Sequence, residues 1–112
     1  DWSQTLQAGQ RLRELSLAMS KAKHVTVARP RDKLQNEENP GSFNAAQVQG
    51  FIDSDPPTFA AMAEALVANA GQIVAASRAR DAAKLVDASG ALVEVCESCH
   101  VKFWYPPDNS NK

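Results

Sequence analysis

Aromatic residues make up only 6% of this 112-residue chain, and runs of β-branched residues are nearly absent. That scarcity, beside abundant alanine, argues against a sheet and for helices. Neither sign of charge is in excess: 12 basic and 13 acidic residues leave a formal net charge of −1. The balance removes the electrostatic case for nucleic acid or an anionic membrane surface as partner. No unbroken apolar run approaches the roughly 20 residues that cross a bilayer, so no membrane span is expected. A Ser/His/Asp set, a glycine-rich phosphate loop and paired carboxylates in an apolar setting are all missing, which argues against an enzyme and leaves no catalytic residue to name. No internal repeat or low-complexity tract appears, and the length suits one domain, residues 1–112, with a modest core.

Cysteine and histidine are equally scarce, with two of each, yet three of these four residues stand together in Cys96-Glu97-Ser98-Cys99-His100. Two cysteines three apart, followed at once by histidine, form the attachment signature of a c-type haem. On a helix, residues three apart share a face, so both sulfurs can reach the two vinyl groups on one porphyrin edge. His100, four after Cys96, projects from the same face and suits an axial iron ligand. One covalent haem c per chain is expected, which consumes both cysteines. Two other readings stay open here: half of a zinc site, and a haem-free thiol oxidoreductase. Zinc lacks a second Cys/His pair, since the other histidine is His24. A redox Cys-x-x-Cys usually opens a helix after a strand, whereas an apolar helical pattern precedes this one for more than three turns.

Along the chain, residues 2–24 read as a first helix, with Leu12, Leu15, Met19 and Ala22 on one stripe and Trp2 and Leu6 extending it. Nothing breaks it before Val25-Thr26-Val27, and Arg29-Pro30 is a stop. Residues 25–42 form a long surface connection rich in charge, amide, Pro and Gly, which is expected to fold over something or to be partly mobile. A short helix follows from residue 43 or 44 to Ile52, with Ser42 as N-cap and Phe43, Val48 and Ile52 as its apolar residues. Asp55 before Pro56 marks the start of a third helix to about Arg78, with Phe59, Met62, Leu66, Ala70 and Ile73 on one stripe. Asp81 caps a fourth, whose Leu85, Ser89, Leu92, Cys96, Cys99 and Phe103 alternate spacings of 4 and 3. Small residues at Ala88, Ser89 and Gly90 allow a close approach by a neighbour. Pro106-Pro107 ends the helix, and a frayed polar tail runs to Lys112. The fold class is all-α: an antiparallel four-helix bundle with a short second helix and haem attached on the C-terminal helix.

Haem attachment on the last helix of such a chain resembles the class II c-type cytochromes, the cytochrome c′ family and its low-spin relatives. The resemblance is specific over about Ala82 to Tyr105, where Gly90, Cys96, Cys99, His100 and Phe103 stand where the family places them. In the first helix, Arg11 and Leu15 look like the family's arginine near the haem and the distal residue four positions later. Two features depart from the pattern. Trp104 occupies a position where cytochromes c′ carry arginine, and the second helix is short after an unusually long loop.

The iron's sixth position decides between electron transfer and gas binding. The resemblance makes Leu15 the distal residue, and leucine cannot coordinate. Met19, one turn later on the same stripe, offers a thioether; its other reading is a core residue filling a gap. His24 lies nine residues from Leu15, about 180° round an ideal helix, and reads as a surface residue near the helix end. Met62 reads as core. Arg11 and Arg13 are candidates for pairing with haem propionates, and Trp104 and Tyr105 for covering the haem edge. The leading function is a soluble electron carrier cycling between ferrous and ferric iron, with redox proteins as partners and a homodimer left open. The alternative is a five-coordinate binder of nitric oxide or carbon monoxide. Thioether attachment takes place outside the bacterial cytoplasm. Export to the periplasm is therefore expected, with a targeting segment removed and Asp1 near the mature N-terminus.

Overall fold

In a computed structural model that describes residues 1–28, 32–34 and 37–106, the chain forms α1 (Trp2–Lys21), α2 (Ala45–Ser54), α3 (Pro56–Ala79) and α4 (Ala82–Phe103). No strand occurs among the described residues. The expected all-α bundle with a short second helix is the fold observed. The Arg29-Pro30 stop and the tail beyond Pro106 lie outside the described residues.

Side-chain caps set the helix starts. The Asp1 carboxylate accepts from the Ser3 amide at 2.8 Å, Asp55 from Thr58 at 3.3 Å and Asp81 from Lys84 at 3.0 Å. Each satisfies an amide that has no partner inside its helix. The cap of α2 is Asn44 rather than the expected Ser42. Asn44 accepts from the Gln47 amide while the Gln47 side chain accepts from the Asn44 amide, both at 2.9 Å. This reciprocal pair satisfies two amides, which a serine two residues earlier would not. Between α3 and α4 no glycine or proline forces the break. Arg80 takes the left-handed conformation (φ 52°), and the Asp81 amide reaches back to the Ala76 carbonyl at 3.0 Å. That closure is the usual helix-ending motif, made here by arginine.

α1 ends at Lys21, short of the expected residue 24, because the next backbone groups find another partner. The Gln49 side chain on α2 donates to the Val25 carbonyl (2.8 Å) and accepts from the Val27 amide (2.9 Å). The connection thus folds down on α2, and Val25, Val27 and Leu34 pack against the buried cluster Val48, Ile52, Phe59 and Phe103. The expectation that this segment folds over something holds for its described residues.

The packing order explains what remains open. α1 lies on α3 and α3 on α4, while no Cα of α1 comes within 8 Å of one in α4. Gly9, near the start of α1, meets Ile73 and Val74 late in α3. Asn69 of α3 donates to the Ala88 carbonyl of α4 at 3.0 Å, and Phe59 meets Phe103 at 5.3 Å. The long helices in contact, α1 with α3 and α3 with α4, are therefore antiparallel, and α1 and α4 run parallel to each other. The α1–α3 seam is closed by small residues: a Cβ on Gly9 would stand 3.0 Å from Ile73 Cγ2 and 3.2 Å from Val74 Cγ2. Ser16, seven residues on, is 1% exposed, with its hydroxyl donating to the Leu12 carbonyl at 2.7 Å. Gly90 makes no such approach, since a Cβ there would meet open space.

α3 corrects the expectation about apolar runs, because by length and composition it could cross a bilayer. An unbroken-run criterion passes over it, since Glu64, Asn69 and Gln72 interrupt the stretch. Its buried positions, Phe59, Ala63, Asn69, Ala70, Ile73, Val74, Ala76 and Ser77, are those of a helix with neighbours on two sides.

Candidate haem site

Where α1 and α4 stand apart, the three long helices enclose an apolar cavity of about 100 Å³. α4 supplies Val95, Cys96, Cys99 and His100; α3 supplies Phe59, Met62, Ala63 and Leu66; α1 supplies Met19. The helical spacing of the motif thus brings both thiols and the imidazole to one cavity. Phe59, Met62 and Leu66 come from the predicted α3 stripe. Met62 and Leu66 border the cavity and are partly exposed, whereas Phe59 and Ala63 border it and are buried.

Neither cysteine is in a disulfide. Burial pushes the Cys99 thiol above its ordinary value, and the neighbouring Cys96 adds to the shift. A thiol oxidoreductase needs the opposite, a thiolate favoured by positive surroundings. Among the described residues no group of three or more His, Cys, Asp and Glu could hold a metal ion, so no further ligand completes a zinc site. Apolar walls, two thiols on one helical face and an imidazole beside them do fit a covalently bound tetrapyrrole.

The other sequence candidates divide. Met19 borders the cavity. Leu15 is 50% exposed and does not border it. Arg11 is exposed and pairs with Glu14 at 3.3 Å. Arg13 borders a different groove, with Gln10, Glu14, Leu17, Gly71, Val74 and Arg78. Phe103 is buried behind the cavity against Phe59. His24, near the end of α1, is largely exposed and lies 3.7 Å from Asp53.

Two residues at the end of α4 complete the surroundings of His100. The Trp104 ring meets the imidazole edge-on at 5.1 Å, and the Tyr105 ring lies tilted to it at 6.1 Å. The Tyr105 hydroxyl donates to Glu97 Oε2 at 2.7 Å, and that hydrogen bond raises the phenol above its ordinary value. Sequence periodicity gives no hint of this tie, since residues eight apart on a continuous helix are separated by about 12 Å along its axis, and Tyr105 lies beyond the end of α4. Nor does it single out Met62 as a cavity residue rather than core.

The family model described as Cytochrome C' matches residues 39–104, which takes in α2, α3, α4 and the whole Cys-x-x-Cys-His motif. Comparison with curated proteins and with solved structures found no match. With more than half of its length and both cysteines inside the family match, the chain belongs to the cytochrome c′ family and is a c-type cytochrome whose haem c is covalently attached.

Proposed function

We propose that this cytochrome is an electron carrier whose iron is held by His100 and Met19, with Cys96 and Cys99 forming the two thioethers. The observation that carries this reading is the shared cavity: Met19 borders it together with Cys96, Cys99 and His100, while Leu15 is turned half to solvent. The haem supplies a one-electron ferric/ferrous couple. The chain supplies the rest. His100 and Met19 come from helices that α3 holds apart, so α3 acts as a spacer between the two ligands. Phe59, Met62, Leu66 and Val95 exclude water, which disfavours the more charged oxidised state. A thioether ligand acts in the same direction. In this reading the whole chain works as one domain, since α1 brings one ligand and α4 the other. It works with redox proteins after export to the periplasm, where thioether attachment takes place.

Absorption spectra of the oxidised and reduced protein, with and without carbon monoxide, test the reading. Methionine ligation gives a six-coordinate low-spin ferric form with a weak long-wavelength band, and slow uptake of carbon monoxide when reduced. A high-spin ferric form that takes up carbon monoxide at once would replace electron transfer with gas binding. Denaturing mass spectrometry tests the attachment separately: Cys96→Ser and Cys99→Ser should each weaken or abolish it.

A further inference from the structure

The proximal side holds an arrangement that ligation alone does not explain. Iron-bound histidines usually donate their second ring N–H to a carboxylate, carbonyl or water, which fixes the ring and makes it more basic. Among the described residues no protein acceptor is hydrogen-bonded to the His100 ring. Trp104 and Tyr105 stand against it instead, with their own rings 5.7 Å apart, so three rings form one cluster.

The backbone aims the two aromatics. The amides of Trp104 and Tyr105 both donate to the His100 carbonyl, at 2.8 and 2.9 Å, so α4 ends by folding back on its own histidine. Trp104 also packs against the buried cluster of Val48, Ile52, Phe59 and Phe103. Tyr105 is 40% exposed and has no such packing; its hold is the hydrogen bond to Glu97, which lies between the two cysteines. A neutral hydroxyl donating to a carboxylate at this length is among the stronger hydrogen bonds. The segment beyond the histidine is thus tied back to the segment between the thiols.

We infer that Trp104, Tyr105 and Glu97 form a bracket that positions His100, fixing its ring by aromatic contact and keeping water from its second nitrogen. This rests on the reading of His100 as the iron ligand. With no protein acceptor hydrogen-bonded to its ring, the imidazole stays a weaker donor, which favours the ferrous state. The bracket acts through His100, so all three are positioning residues. It stands where Trp104 replaces the arginine of the family pattern.

The test uses the full-length, haem-loaded protein and two readouts that simple loss of stability leaves in place. One is the midpoint potential; the other is the spread of g values in electron paramagnetic resonance of the ferric form, which follows imidazole orientation. Trp104→Ala should move the ferrous-to-ferric ratio at fixed potential roughly tenfold toward ferric, with outer-shell substitutions around a metal ligand as the scale. For one electron that is about 59 mV. The g values should shift as well, and Trp104→Phe should restore most of both. Tyr105→Phe and Glu97→Ala remove only the tie and should move both readouts the same way by less. Wild-type potential and g values in Trp104→Ala and Tyr105→Phe overturn the inference. If Trp104→Ala does not fold, unchanged readouts in Tyr105→Phe and Glu97→Ala overturn it equally. Failure of the ligation reading looks different: added imidazole would then leave the absorption bands of His100→Gly unaltered.

Discussion

The two seams that α1 could share with its neighbours are built oppositely. Against α3 it is closed as tightly as helices allow, with Gly9 admitting Ile73 and Val74 and Ser16 fully buried one heptad later. Against α4 it makes no backbone approach, and the gap holds a cavity bordered by two thiols, an imidazole and two methionine thioethers. Small residues on one side set the rotation and height of α1; the residues that border the cavity occupy the other. The closed seam is therefore what presents Met19 to the open one. Structural and functional roles lie on adjacent flanks of a single helix.

The most damaging way to break this relation is at Gly9. Gly9→Leu should wedge α1 from α3 and cost about 1–3 kcal/mol or more by overpacking, measured by chemical denaturation. Because α1 carries Met19, the same variant should also lose low-spin character in its ferric spectrum. A variant of wild-type stability would show that the seam is not tight. Next come the two methionines of the cavity. Met62→Ala should cost about 2 kcal/mol, at the low end for a half-buried side chain, and leave the spin state unchanged. Met19→Ala should convert the spin state and lower the potential. If Met62→Ala makes that conversion instead, the ligand comes from α3.

A smaller effect is expected at Asp55, which caps α3 and lies 3.7 Å from Lys102 of α4. The hydrogen bond from Thr58, with Lys102 adding to it, holds the Asp55 carboxyl below the usual carboxylate value. A group whose folded value is depressed stabilises the fold above its unfolded value of about 3.9, and that contribution fades as pH falls through the folded value. Asp55→Asn should therefore flatten the loss of stability in acid while leaving neutral-pH spectra alone. An unchanged acid limb would assign no such role to Asp55. The smallest effect belongs to Leu15→Ala. Half exposed and away from the cavity, it should change stability by no more than about 0.5 kcal/mol and leave carbon monoxide uptake as it was. Faster uptake would return Leu15 to the distal pocket.

Local chemistry was the legible part of this molecule. Asp55-Pro56, Asp81 and the Cys-x-x-Cys-His spacing each announce themselves within a few residues, and α3 and α4 begin where the first two stand. The sequence pattern carries α1 three residues too far, because Gln49, more than 20 residues away, supplies partners to the backbone just beyond it. Leu15 and Met19 could not be separated by stripe alone. Their fates depend on how α1 is turned against α3: on an ideal helix Met19 lies about 70° from the line through Gly9 and Ser16, and Leu15 about 110°. Nothing in the sequence identifies Gly9 as the residue that sets this line, because its role exists only opposite Ile73 and Val74. The family match begins at residue 39, so it gives no help with α1.

The unequal reach of the two seams bears on how the site is assembled. Asn69 and Ala88, which join α3 to α4, are 19 residues apart, whereas Gly9 and Ile73 are separated by 64. Closing the longer loop costs roughly 1 kcal/mol more in chain entropy. The α3–α4 hairpin is therefore expected to form first and α1 to dock afterwards, an order that pulse-labelled hydrogen exchange during refolding would reveal or reverse. Until α1 arrives, the thiols and the imidazole stand on the exposed flank of a hairpin, open to the maturation machinery. The helix that carries Met19 would then close behind the cofactor.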